Sequence, residues 1–168
     1  MKNALSRQIR KERAAMDNLE LIRLAYEAQA KAYVPYSHFQ VGAALLAKNG
    51  QVFLGCNIEN AAYTPTNCAE RTAFFKAVSE GVMEFDRIAI VGNMEGKKGD
   101  YCGPCGVCRQ VMREFCDPKT FEVILARSAE DYMLYRLEEL LPVSFGPGNL
   151  NAGQAATGSE SADEKRIQ

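Results

Sequence analysis

The chain has 168 residues, 47% of them hydrophobic, which suits a soluble globular protein with one substantial core. Lys and Arg number 20 against 21 Asp and Glu, a net charge of -1, without the basic surplus of a protein that tracks a phosphate backbone. No apolar stretch approaches a bilayer span, and residues 1–17 are charged throughout without the apolar centre of a secretory signal. The expectation is a cytoplasmic protein with neither nucleic acid nor membrane as partner.

Residues 4–33 read as helical. Leu19, Ile22, Leu24, Tyr26 and Ala30 fall near one face, and Glu20, Arg23, Glu27 and Lys31 lie mostly opposite. Asp17 or Asn18 caps the main helix, the lead of residues 1–15 being an extra helix or a frayed arm, and Pro35 ends the helical run. Residues 39–47 read as a strand, Asn49-Gly50 as a tight hairpin turn, and 51–56 as the partner strand. A second helix fits 68–80, closed by Gly81. The apolar run within 85–92 suits a buried central strand. A loop over 92–100 leads to a third helix at 106–115, a strand at 121–126 and a fifth strand at 133–137. Residues 151–168 hold little that could pack and are expected to be disordered. The domain organisation is thus a lead over 1–17, a single domain over 18–150 and a tail over 151–168. The order of elements predicts an α/β sheet with helices packed on its faces.

Six cysteines without an export signal point to metal ligands or buried thiols rather than disulfides. Cys68-Ala69-Glu70 and Pro104-Cys105-Gly106-Val107-Cys108 supply three thiolates and a carboxylate. Three protein ligands leave one tetrahedral position of a zinc ion open to water, as in a catalytic rather than a structural site. Both thiolate groups open a helix, where the backbone N–H groups favour thiolate over thiol. Glu70 is placed to carry protons. Three thiolates give zinc a formal negative charge, and Arg71, three residues after Cys68, is expected to offset it.

Plainer readings exist for each feature. A Cys-x-x-Cys alone serves as a structural zinc half-site or a redox pair. An alternative is a closed four-thiolate site of Cys68, Cys102, Cys105 and Cys108, but such a site needs no neighbouring Cys-x-Glu. Cys56 and Cys116 read as ordinary core or surface thiols, and His38, the sole histidine, as a loop residue.

Five blocks occur in one order: Tyr36-Ser37-His38-Phe39-Gln40-Val41-Gly42-Ala43-Ala44, Gly55-Cys56-Asn57-Ile58-Glu59-Asn60-Ala61, Cys68-Ala69-Glu70-Arg71-Thr72-Ala73, Pro104-Cys105-Gly106-Val107-Cys108-Arg109-Gln110 and Leu141-Pro142-Val143-Ser144-Phe145-Gly146-Pro147. With them the chain resembles the cytidine deaminases, small zinc enzymes of free nucleosides, from about residue 18 to 150. The resemblance implies a three-layer α/β/α fold with a mixed five-stranded sheet, and a homotetramer with shared active sites. It implies one Zn2+ per subunit on Cys68, Cys105 and Cys108, with Glu70 as proton shuttle, and hydrolysis of cytidine and 2'-deoxycytidine to the uridines and ammonia. It further implies that Asn57 and Glu59 hold the ribose 3'-hydroxyl, Phe39 lies against the nucleoside, the backbone at Ala69 meets the pyrimidine, and Phe145 reaches a neighbour's site. Residues 64–67 and Cys102 depart from the motif. The rivals are a deaminase of another cytosine nucleoside such as blasticidin S, a polynucleotide-editing deaminase, and a non-catalytic zinc module.

Overall fold

The computed structural model describes residues 17–150. The expected lead helix and the polar tail lie outside the described residues. In chain order the elements are α1 (Asn18–Gln29), β1 (Phe39–Ala47), β2 (Val52–Cys56), α2 (Ala69–Ser79), β3 (Phe85–Met94), α3 (Gly106–Phe115), β4 (Glu122–Ala126), β5 (Tyr132–Arg136) and α4 (Leu137–Leu140). The sheet runs β2-β1-β3-β4-β5. All neighbours are antiparallel except β3 and β4, the parallel pair whose crossover is α3.

Strand alternation divides the core into two layers. Ala43, Leu45 and Ala47 of β1, Ile88 and Ile90 of β3, and Val123 and Leu125 of β4 face α2 and α3. Ala44, Leu46, Ala89, Val91, Ile124 and Ala126 face Leu21, Ile22 and Ala25 of α1. The result is the expected α/β/α sandwich about a mixed five-stranded sheet. Phe74 of α2 anchors the first layer, with ring centroids 5.0 Å from Phe85 and 6.1 Å from both Phe115 and Phe121. Burying each such ring contributes about 1.5–3 kcal/mol.

Two glycines set the spacing between layers. A Cβ at Gly42 would lie 2.0 Å from the Ala25 carbonyl, and one at Gly55 would lie 2.2 Å from the Ala69 carbonyl. Only glycine lets α1 approach β1, and α2 approach β2, this closely.

The elements match expectation in kind and differ at their ends. Asp17 caps α1, its side chain accepting from Glu20 N at 2.8 Å. The helix stops at Gln29 rather than 33, because the Lys31 and Ala32 amides close back three residues and Tyr33 is drawn into a bridge with Ile58. Strand β3 runs two residues further than expected, since Phe39 and Gln40 of β1 pair with Met94 and Asn93. Strand β5 lies one residue earlier than expected. The short helix after it, α4, tucks the buried Leu137 into the core and was not foreseen. Gly81, at φ 83°, follows α2 as expected.

Candidate active site

Cys68 is the N-cap of α2 and Cys105 the N-cap of α3, both in extended backbone. Each thiol therefore sits on the axis of a helix start, where unpaired N–H groups stabilise negative charge. The Cys105 sulfur accepts from Cys108 N at 3.5 Å, and one helical turn brings Cys108 back beneath it. The Cys68 and Cys105 sulfurs lie 3.9 Å apart, and those of Cys105 and Cys108 3.4 Å apart. All three sulfurs lie within 4.8 Å of one another. A tetrahedral zinc with bonds of about 2.3 Å separates its sulfurs by about 3.8 Å, so these residues fit the ion. Cys108 is buried, Cys68 half-buried and Cys105 exposed. Depth thus grades into an open mouth.

The thiols already share charge. A hydrogen bond from Cys108 pulls Cys68 down to about 5 against the opposing effect of burial, with Arg71 lowering it further. As the donor, Cys108 is pushed up. Arg71 Nη2 donates to the Thr66 carbonyl at 3.2 Å and to Cys68 Sγ at 3.7 Å. Burial opposes the charge on the guanidinium, but the Cys68 and Cys108 sulfurs together outweigh it and hold Arg71 above its ordinary range. The arginine therefore sits where the sequence spacing put it, and Thr66, in a stretch without a predicted role, anchors it.

Glu70 is only 4% exposed and shares the buried face of α2 with Ala69, Ala73, Phe74 and Ala77. Burial, first, and then the Cys68 charge lift its carboxyl to about 7. A group poised at neutral pH both gives and takes a proton readily.

Asn57 and Glu59 flank Ile58, whose backbone bridges to Tyr33 and Asn67. Both side chains turn toward the entry of β1. Asn57 Oδ1 accepts from Val41 N, and its Nδ2 donates to the Phe39 carbonyl, each at 2.8 Å. Glu59 Oε2 accepts from Tyr36 N at 2.9 Å and Ser37 N at 3.3 Å, and the Ser37 bonds hold its carboxyl below the ordinary range. One amide N–H and one lone pair of Asn57 stay available beyond these bonds, as does the second oxygen of Glu59. The pair thus fixes the loop that presents Phe39. Phe39, Tyr101 and Cys102 line a cavity of about 160 Å³ with Lys97 and Lys98 at its rim. Ala69 is fully buried behind the site, and Phe145 is 60% exposed, its carbonyl accepting from Gln110 Nε2 at 3.1 Å.

Cys102 does not join the sulfur cluster. Its side chain lies over Gly92, where a Cβ would be 2.7 Å from its sulfur and 3.1 Å from the Phe39 ring. A closed four-thiolate site is thereby set aside. Cys116 is buried and Cys56 half-buried with its thiol donating to the Lys31 carbonyl, both apart from the site. His38 sits in the loop before β1, 3.3 Å from Glu95.

The sheet, the two helix starts and this donor set define a zinc-binding deaminase domain. Residues 16–124 match the family model described as the cytidine and deoxycytidylate deaminase zinc-binding region. A cytidine deaminase of Sporosarcina psychrophila is 49% identical over 136 residues, covering 81% of this chain and 96% of that protein. A probable cytidine deaminase of Dictyostelium discoideum is 41% identical over 131 residues, covering 78% of this chain and 85% of that protein. The crystal structure of cytidine deaminase from Burkholderia pseudomallei superposes with a TM-score of 0.70 at 48% identity, covering 77% of this chain and all of that one. The chain belongs to the cytidine and deoxycytidylate deaminase family.

The pattern reading missed two contributors. Arg109 donates from Nε to the Pro104 carbonyl at 2.8 Å and from Nη1 to the Leu140 carbonyl at 2.7 Å, tying the proline before Cys105 to the end of α4. Tyr101 is held by Asp131 and Arg127. The Arg109–Leu140 and Tyr101–Asp131 bonds have no local signal, because their partners lie about thirty residues apart.

Proposed function

We propose that this protein deaminates cytidine and 2'-deoxycytidine hydrolytically, as a zinc-dependent enzyme of pyrimidine salvage, with the catalytic machinery within residues 18–150. The observation that carries this is the buried Glu70 carboxyl, lifted to about 7, beside three convergent thiols at two helix starts. Cys68, Cys105 and Cys108 hold the zinc, which supplies the Lewis acidity that makes water a nucleophile at neutral pH. Arg71 balances the excess negative charge of the three sulfurs.

Glu70 gives a proton to N3 of the cytosine ring, and C4 then becomes electrophilic. Oxygen adds at C4, and water gives up both of its protons: one passes through Glu70 to the exocyclic nitrogen, and the other restores the Glu70 carboxyl that protonated N3. The C4–N bond breaks with its electron pair leaving on ammonia, and the uracil ring remains. Without this relay the leaving group would be an amide ion, which is far too basic.

Asn57 and Glu59 use their remaining hydrogen-bonding capacity on the ribose 3'-hydroxyl, and Phe39 lies against the nucleoside. The backbone at Ala69 meets the pyrimidine. The exposed Phe145 completes a neighbouring subunit's site in a homotetramer. No helix among the described residues is long and apolar enough to cross a membrane, in keeping with a cytoplasmic location.

The test follows the loss of cytidine's ultraviolet absorbance in wild type and Glu70→Gln. Expected is a loss of activity by roughly 10²–10⁴-fold with zinc content and fold retained. Retained activity in the variant refutes the role of Glu70. Deamination of blasticidin S in preference to either cytidine would move the assignment to that nucleoside.

A further inference from the structure

We propose that Tyr101, Arg127 and Asp131 form a latch that positions the segment delivering Cys105, so that the β4–β5 turn governs how firmly the metal is held. The inference rests on the zinc assignment above and is independent of the substrate.

The segment needs such a device. After the bridge between Gly92 and Asp100, residues 101–105 form neither helix nor strand. They end at the most exposed of the three sulfurs, so side chains must fix the path. At its far end Arg109 grips the Pro104 carbonyl. In the middle, Cys102 drops into the space left open by the missing side chain of Gly92. At its near end stands Tyr101, whose ring packs partly buried against the α2–α3 layer.

The turn that receives Tyr101 is held by bonds that do not involve Tyr101. Arg127 N and Ser128 N both donate to the Asp131 carbonyl, at 2.9 and 3.2 Å, and Asp131 N donates to Ser128 Oγ at 3.1 Å. Tyr26 of α1 donates its hydroxyl to the Arg127 carbonyl at 3.0 Å, anchoring the turn to the opposite layer. The Asp131 carboxylate divides its two oxygens: Oδ2 accepts from Arg127 Nε at 2.8 Å, and Oδ1 accepts from the Tyr101 hydroxyl. The Arg127 guanidinium also lies 5.0 Å from the Tyr101 ring centroid, on its face. Tyr101 is thus gripped at both ring and hydroxyl by the Arg127–Asp131 pair. Four residues later comes Cys105.

A merely structural role predicts something different. Exposed ion pairs add little to global stability, so a decorative cluster could be removed without effect on the metal. A latch acting on the Cys105 segment changes metal retention while leaving the metal-free fold alone.

The experiment uses the full zinc-loaded chain with Tyr101→Phe, which deletes only the hydroxyl, together with Asp131→Ala and Asp131→Asn. Zinc transfer to a colorimetric chelator and the thiolate-to-metal absorption of the cobalt-substituted protein are recorded. Tyr101→Phe and Asp131→Ala are expected to release zinc about tenfold faster and to shift the cobalt bands, in line with other residues that orient metal ligands. The double variant should be no faster than the quicker single one, because the two residues act as a unit. Asp131→Asn, which keeps an acceptor for the hydroxyl, should recover part of the loss. Arg136→Ala, which breaks the Arg136–Glu122 pair at 3.0 Å at the other end of β5, should leave release unchanged. Unchanged release and cobalt spectra in Tyr101→Phe overturn the latch, as does a variant that loses as much melting temperature without metal as with it. If Asp131→Ala fails to fold, the single-atom change at Tyr101 decides alone. A parent protein that binds zinc but ignores cytidine would refute the substrate assignment and leave these measurements intact.

Discussion

Gly55→Ala should damage the active site, and Gly42→Ala should damage only the fold. The two glycines sit one register step apart on adjacent strands and face opposite layers. A Cβ at either position meets a helix backbone at nearly the same distance, 2.0 Å for Gly42 and 2.2 Å for Gly55. Ordinary contact begins at about 3.4 Å, so each helix must retreat by more than about 1 Å. Overpacking of this kind costs about 1–3 kcal/mol, or roughly 2–12 °C in melting temperature for a chain of this size. What differs is the helix that moves. Gly42 pushes α1 at Ala25, whereas Gly55 pushes α2 at Ala69, between Cys68 and Glu70. Catalytic groups tolerate about 0.5 Å of displacement, and a misplacement of about 1 Å costs on the order of 10²-fold in rate. Melting curves, zinc content and cytidine turnover on purified protein separate the two outcomes. Gly42→Ala should keep kcat/KM within about threefold, while Gly55→Ala should lose about a hundredfold of it together with part of its zinc. Equal activity in equally destabilised variants would refute the claim that this helix–sheet spacing sets the site.

Arg71→Gln removes the cation from the Cys68 sulfur, so the acidic limb of the kcat/KM profile should move up by about one pH unit; a full-rate, unshifted profile would contradict the charge-balancing role. Burial holds the Cys102 thiol up at about 11, leaving about one part in a thousand as thiolate at pH 8. Cys102 should therefore label far more slowly with iodoacetamide than a free thiol, as peptide mass spectrometry would show. For Glu70 the folded carboxyl, at about 7, lies above its ordinary 4.5. In zinc-free protein its contribution falls as pH rises between these values, by up to about 3 kcal/mol. Zinc-free Glu70→Gln should gain stability over the parent at pH 8 and not at pH 4, measured by urea unfolding, and a gain equal at both would break the argument.

The fold was legible where one residue's neighbours decide its state. The apolar run at 88–91, the Asn49-Gly50 turn and the Gly81 stop each carry a local signal, and the structure has each of them. The ends of elements were not legible, because tertiary pairing sets them. Tyr33 leaves the helix only because Ile58 is there to bridge to. Strand β3 extends only because β1 is long enough to pair with it.

The site divides along the same line. Cys-x-Glu and Cys-x-x-Cys each report a single helix start, so the donors could be read from sequence, and the meeting of the two helices then brings the sulfurs within reach of one ion. Asn57 and Glu59 illustrate the limit. The resemblance implied a shared task at the ribose, but not that both would first bind the backbone at 36–41 and so aim Phe39. Glu70 shows most about purpose. Its neighbours Ala69, Ala73, Phe74 and Ala77 form an apolar face into which a fold selected for stability alone would place another apolar side chain. A carboxyl kept there, at a cost the pH dependence can measure, is what the proposed proton relay calls for.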